Sequence, residues 1–281
     1  MAEGRRVSVD VLGFGIVWVV LSILGEMGVR VIIHNDPMYY TASNIGLMVE
    51  SAMDFLIVVL VPIFIFVGLT LVWSMIRFTV KRGETPTLPE KFARSNKWFV
   101  GSWVIGSIGI NLLFFLHPTA SATEQFFAME NPQAAANKQA IIVDVTARQW
   151  EWIFSYPQYG LTQTLDANGQ DQLELPVGRS VKFVLRSYDP YHTYDQYVDV
   201  IHSFWVPSWG IKEDVIPGEA RSIYITPTKI TSFAQNPMSR VQCAEVCGPG
   251  HPWMEAPLNV VSSSQFAKWI QYEKKLQSGL G

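Results

Sequence analysis

Cysteine is nearly absent. The 281 residues hold only two, Cys243 and Cys247, too few for a disulfide scaffold. No Cys-x-x-Cys-His occurs, so the chain carries no attachment motif for a c-type haem. Histidine is scarce as well: His34, His117, His192, His202 and His251 are all there are. Charge is low, with 16% charged residues and a formal net charge of −3. That leaves no basic surplus of the kind a nucleic-acid binder needs, and no nucleic-acid partner is expected. With 49% hydrophobic residues against only 16% charged, the balance is apolar for a soluble protein.

The apolar residues concentrate near the N-terminus. Residues 55–76 form 22 positions without a charge, and residues 98–116 form 19. Each run is long enough to cross a hydrocarbon core about 30 Å thick. Pro62 and Gly68 in the first run are tolerable in a membrane helix. An earlier run, residues 11–25, is followed by Glu26 and Arg30, which can pair at i,i+4. It is read as a further membrane helix over residues 9–33; a signal peptide led by Arg5 and Arg6 is the alternative. Arg77, Lys81, Arg82, Lys91, Arg94 and Lys97 crowd the connection between the two long runs, whereas residues 34–54 contain no Lys or Arg. The positive-inside rule puts that connection in the cytoplasm and everything after Leu116 outside.

Residues 117–138, rich in Ala, Asn, Gln and Thr with Pro118 and Pro132, read as a linker. Alternation then sets in around Ile141, Val143 and Val145, and again in residues 181–186 and 222–226. Turn signals separate these stretches at Asn168-Gly169, Pro176-Val-Gly178 and Pro217-Gly218. Short strands with such turns imply an antiparallel sandwich or barrel, with residues 258–261 as the last strand. Ser264 is expected to cap a helix through about Leu276, with Phe266, Trp269 and Ile270 on one side. Arg148-Gln149-Trp150-Glu151-Trp152 is expected on a strand, with Trp152 packing near the cysteine loop.

Both cysteines fall within Cys243-Ala-Glu-Val-Cys247-Gly-Pro-Gly-His251-Pro-Trp-Met254. Thiolate and thioether are soft ligands that favour copper, and imidazole suits it too. A mononuclear blue-copper site needs only one Cys, so the second is surplus to it. Two thiolates on one loop can bridge two metal ions, with His251 and Met254 as terminal ligands. One further ligand is then needed, and Val200-Ile-His202-Ser-Phe supplies it. A Cys243–Cys247 disulfide and a zinc site are the alternatives, although neither uses Met254 and the distant His202 together. Gly248, Pro249 and Gly250 shape the turn that returns His251.

The spacing Cys-x-Glu-x-Cys-Gly-x-x-His-x-x-Met after a Val-Ile-His-Ser strand resembles subunit II of the haem-copper oxidases, the family of cytochrome c oxidase subunit II. Val206-Pro-Ser, Lys212-Glu-Asp and Ile216-Pro-Gly are similar to that family as well, and the likeness runs from about Ser51 to the C-terminus. The resemblance implies an α+β membrane protein: N-terminal transmembrane helices, then an all-β cupredoxin-like Greek-key barrel and a short C-terminal helix. It divides the chain into an additional membrane helix at 1–34, a helical hairpin at 35–117, a linker at 118–139 and an external domain at 140–281. It implies a dinuclear copper centre, CuA, held by His202, Cys243, Glu245 through its carbonyl, Cys247, His251 and Met254.

By the same likeness, Trp150 is where electrons enter, the Glu245 carboxylate holds a magnesium ion at a subunit interface, and Asp199 belongs to the docking face for a cytochrome c. The partners implied are the catalytic subunit I with other oxidase subunits, a separate electron donor and the lipid bilayer of a bacterial inner membrane, with the copper domain on the periplasmic face. The oxygen site lies in another subunit, so no catalytic residue is expected here. A nitric oxide reductase subunit with the same centre is the alternative. Nitrous oxide reductase is excluded because five histidines cannot supply its second, histidine-rich cluster. The chain departs from the family's pattern at Val198, where a second acid is usual, and in residues 93–98, which lack a helix-end Glu.

Overall fold

The computed structural model describes residues 2–35, 40–77, 79, 83, 97–188 and 199–279, with side chains from residue 10 onward. Most of the basic connection, His192 and Val198 therefore lie outside the described residues. The chain divides into two compact units, Met1–Asn35 with Ser51–Ala122, and Asp36–Glu50 with Thr123–Gly281.

The first unit is helical. Helices α1 (Ala2–Asn35), α2 (Asn44–Arg77) and α3 (Lys97–Phe114) follow in chain order, and all three are long and apolar enough to cross a membrane. Helix α1 is fastened to α2 along its length. Arg77 pairs with Asp10. Phe14 meets Phe66 and Trp73 edge-on, at 5.6 and 5.7 Å between ring centroids. The Trp18 indole donates to the Pro62 carbonyl at 2.9 Å. At Gly25 the helices come so close that a Cβ would lie 2.7 Å from Ile65. A glycine at such a contact is how membrane helices gain van der Waals packing where no hydrophobic drive exists between them.

Helix α3 passes into a π-type segment, Phe115–Ala120, broken at His117, whose backbone is extended (φ −147°, ψ 125°). Pro118 explains the break, because its ring disfavours helical geometry in the residue before it. The expected linker is then helical over α4 (Ser121–Met129). Between Pro118 and Pro132 there is neither glycine nor proline, and Glu124 sits in the first turn of α4, where the helix dipole favours it.

Among the described residues the second unit is built on nine strands: β1 (Ile141–Arg148), β2 (Glu151–Ser155), β3 (Leu173–Pro176), β4 (Val181–Ser187), β5 (His202–Val206), β6 (Ile211–Val215), β7 (Arg221–Ile225), β8 (Arg240–Cys243) and β9 (Glu255–Val261). They form two sheets, ordered β2-β1-β4-β7 and β3-β9-β8-β5-β6. The antiparallel expectation needs correction at two pairs: β1 runs parallel to β4, and β3 parallel to β9. Turn residues report only on strands joined by hairpins, and these two pairs are joined by long excursions. Alternate positions of β1 and β4 point inward, and Phe154, Phe183, Phe204 and Trp209 fill the space between the sheets. The fold is cupredoxin-like, preceded by apolar helices and closed by helix α5 (Ser263–Gln277).

Two details differ from expectation, and a third was not foreseen. Residues 40–50 belong with the β-domain: Ala42 and Asn44 donate backbone hydrogen bonds to Ser208 and Thr226, and Ser43 donates to the Trp209 carbonyl at 2.9 Å. The cap of α5 is Ser262, not Ser264, because its hydroxyl accepts from the Gln265 amide while the Gln265 side chain accepts from the Ser262 amide. The edge strand β7 is covered by Glu130, whose carboxylate accepts from the Tyr224 amide at 3.1 Å.

Candidate metal centre

Two neighbouring strands of one sheet and the loop between β8 and β9 build the site. His202 opens β5 and Cys243 closes β8, with Phe204 paired to Cys243 in the ladder. The loop then runs from residue 244 to 254 and is closed at its neck by the Cys243 amide donating to the Met254 carbonyl at 3.0 Å. Ala244 is held by the Ser203 carbonyl, also at 3.0 Å. The His251 and Met254 amides bond back to Gly248 and His251, which coils the loop and turns its side chains inward.

Inside this frame the donors converge. Cys243 and Cys247 are free thiols with Sγ atoms 3.8 Å apart. Each faces its own imidazole: Cys243 Sγ lies 3.7 Å from His202 Nδ1, and Cys247 Sγ lies 3.6 Å from His251 Nδ1. Met254 Sδ is 3.8 Å from Cys247 Sγ, and the Glu245 carbonyl accepts from the Cys243 thiol at 3.2 Å. Sulfur and nitrogen donors about 2.0–2.3 Å from one ion, tetrahedrally disposed, stand about 3.6–3.8 Å apart. The donor atoms of His202, Cys243 and Cys247 thus have the spacing of a metal's coordination shell, and they lie within 4.8 Å of one another. Two thiols and a thioether make the set soft, which fits copper.

The surroundings are apolar. His202, Cys243, Cys247 and Met254 are all buried. Burial, and then the nearby His251, lower the His202 imidazole to about 4, so it is neutral and keeps a lone pair to donate. Burial, followed by the neighbouring Cys243, pushes the Cys247 thiol up to about 12. Protons on such thiols must leave when a metal binds.

Trp150 covers the loop. It sits in the turn between β1 and β2 rather than on a strand, and it is 41% exposed. Its indole nitrogen donates to the Cys247 carbonyl at 3.0 Å, and Gln149 Nε2 donates to the same oxygen at 2.6 Å. The ring lies against Gly250, where a Cβ would fall 2.2 Å from Trp150 Cδ2. Gly250 is therefore a seat for the indole, while Gly248, at φ +113°, makes the turn. Sequence reasoning took both glycines for turn residues and missed Gln149, since nothing in one sequence shows that the turn at residue 149 meets the loop at residue 247. Trp152 packs as expected. It is fully buried, edge-on to Phe204, and donates to the Met254 carbonyl at 3.3 Å.

Asp199 departs from the reading given above. It is 2% exposed, so its carboxylate is not offered directly to a docking partner. Glu245, by contrast, is exposed on the loop, with Val246 beside it.

Residues 141–262 match the family model described as cytochrome c oxidase subunit II, periplasmic domain. The alternative cytochrome c oxidase subunit 2 of Bradyrhizobium diazoefficiens is 27% identical over 238 residues, covering 75% of this chain and 75% of that protein. Cytochrome c oxidase subunit 2 of Bacillus subtilis is 27% identical over 209 residues, covering 73% of this chain and about half (53%) of that protein. Among solved structures, the periplasmic domain of subunit II of cytochrome oxidase from Bradyrhizobium japonicum is 26% identical, with a TM-score of 0.39, covering 48% of this chain and 94% of that one.

Proposed function

Through residues 141–262 this chain belongs to the cytochrome c oxidase subunit II family, and from that premise we propose that it receives electrons for a membrane-bound terminal oxidase through a dinuclear copper centre. The observation that carries the reading is the pair of thiols 3.8 Å apart, each facing a separate imidazole. One tetrahedral ion could take two thiols and two imidazoles, but it would leave the Met254 thioether and the Glu245 carbonyl, which also face the thiols, without a role. In this reading His202, Cys243, Cys247, His251, Met254 and the Glu245 carbonyl would hold the two ions. When bound, the copper pair supplies reversible one-electron transfer.

The chain's own residues do the rest. Strands β5 and β8 and the closed neck of the loop hold the donors in place, which limits rearrangement as charge changes. The buried surroundings keep water away from the sulfurs. Trp150, bonded to the Cys247 carbonyl and open to solvent on its other side, offers a route from a docked donor to a ligand residue. The donor is a cytochrome c or a similar one-electron carrier. The Glu245 carboxylate is exposed and hard, and it is assigned to a magnesium ion shared with a partner subunit. The acceptor haems and the oxygen chemistry belong to that partner, the catalytic subunit I. The three apolar helices are its membrane anchor, with the copper domain on the periplasmic face of a bacterial inner membrane.

The test is metal analysis with electron paramagnetic resonance on the purified full chain. Two coppers per chain are expected, with hyperfine structure from one unpaired electron shared over both nuclei. Cys243→Ser and Cys247→Ser should each collapse it to a mononuclear signal. One copper per chain, zinc or a closed disulfide refutes the reading. An oxygen-consumption assay with the partner subunit separates it from the alternative, a nitric oxide reductase subunit.

A further inference from the structure

Helix α5 covers a group of acids that the redox role does not use. Glu273 is 3% exposed, and its Oε1 atom has no hydrogen-bond partner among the described residues. It lies on the face of α5 that carries Phe266 and Ile270, one turn beyond Trp269, whose indole nitrogen is also sealed without a partner. Glu174 and Tyr156 of the β-domain lie near it, and Asn259 holds Glu174. Strand β3 brings Glu174. The residue after β2 is Tyr156, whose hydroxyl donates to the Glu174 carbonyl at 2.8 Å and accepts from the Glu174 amide at 3.1 Å. Strand β9 brings Asn259, level with Glu174 in the ladder and hydrogen-bonded to its carboxylate. Tyr159 of the short turn Pro157–Tyr159 completes the wall.

Among the described residues neither Glu174 nor Glu273 forms an ion pair. Lys268, Lys274 and Lys275 of α5 are all exposed. Two carboxyl groups in one apolar cluster cannot both ionise cheaply. Burial, opposed in part by the Asn259 hydrogen bond and reinforced by Glu273, raises Glu174 to about 7. Burial raises Glu273 as well. Burial is also the main cause that keeps the Tyr156 phenol protonated, with both glutamates adding to it.

We propose that α5 is a proton-operated latch, docked on the β-domain while Glu174 and Glu273 retain protons and released as both become anionic. An acid raised in the docked state stabilises docking fully below its ordinary range near 4.5, and that stabilisation is gone once pH has risen through about 7. Opening uncovers Phe266, Trp269 and Ile270.

The experiment is hydrogen–deuterium exchange of α5 in the full-length protein in nanodiscs, corrected for intrinsic exchange, from pH 5 to pH 8. Opening of α5 should rise on the order of tenfold, a figure reduced from the unscreened shift because Glu174 is partly exposed. Peptides from β5 and β8 should not follow it. Glu273→Gln and Glu174→Gln should each weaken the pH dependence, and the double variant should abolish it. Glu273→Leu, which keeps the site apolar, should stay closed at pH 8. A flat profile in the native chain, or a slope that survives in the double variant, overturns the proposal.

Discussion

Replacing Gly250 by alanine isolates the seat of Trp150. The residue has φ −85° and ψ 0°, a negative-φ conformation open to alanine at the third position of a type I turn, so the backbone opposes the change far less than a positive φ would. The indole does. The new Cβ would lie 2.2, 2.5 and 2.6 Å from Trp150 Cδ2, Cγ and Cε3. Carbon atoms rest about 3.5–4.0 Å apart, so a ring atom now 2.2 Å away must retreat by about 1.3–1.8 Å. That stretches the 3.0 Å bond from the indole nitrogen to the Cys247 carbonyl beyond reach, a loss of about 1 kcal/mol. The ligands themselves are not displaced, because the neck bond between Cys243 and Met254 and the pairing of β5 with β8 do not involve Gly250. Copper content and the resonance spectrum should therefore be unchanged. The rate of electron uptake from a reduced cytochrome c, followed by stopped-flow absorbance, should fall by about tenfold to a hundredfold, the scale of a misplacement of about 1 Å at a reacting contact. Gly248→Ala is the contrasting case: at φ +113° it strains the turn itself and should reduce copper loading. An unchanged uptake rate in Gly250→Ala, with Trp150 shown to have moved by its fluorescence, would refute the claim that electrons pass through this indole.

Two further outcomes follow from the β-domain. Burial, opposed by the Tyr224 amide and reinforced by Glu213, raises Glu130 to about 7, so its contribution is fully present below about 4.5 and lost as pH rises through 7. Glu130→Gln keeps an acceptor for the Tyr224 amide and removes the charge; it should be more stable than the native chain at pH 8 by about 1 kcal/mol or less, since the group is half exposed, and equal to it near pH 5. Thermal unfolding at the two pH values decides this, and an identical pH slope in both proteins would contradict it. Trp152→Phe removes the donor to the Met254 carbonyl and leaves a void beside His202 and Phe204, costing about 2 kcal/mol of stability. The same substitution should shift the copper hyperfine splitting, because the ring packs against a ligand; an unaltered spectrum would separate Trp152 from the centre.

Much was legible in one dimension because the physics behind it is local. Membrane helices need unbroken apolar length, so residues 55–76 and 98–116 could be read directly, although α2 begins at Asn44 and the helical path after α3 continues to Met129. A loop that holds five of the six proposed donor residues within twelve positions is visible as spacing, and the sixth, His202, stands in a Val-Ile-His-Ser run upstream. What depended on folding was every contact between segments distant in sequence. The parallel pairing of β1 with β4 brings together strands that no hairpin joins. The turn at Gln149–Trp150 meets the Cys247 carbonyl nearly a hundred positions away. Gly250 looks like any turn glycine until an indole is laid on it. Glu273 reads as a solvated helix residue, and Asp199 as a surface acid, until burial shows both to be enclosed. Residue types and their spacing along the chain thus determined which ligands could form the centre and which runs could enter a membrane. Packing alone decided what shields the donors, what carbonyl Trp150 reaches and which carboxyl groups lose their water, because desolvation and van der Waals contact depend on neighbours in space and not on order in the chain.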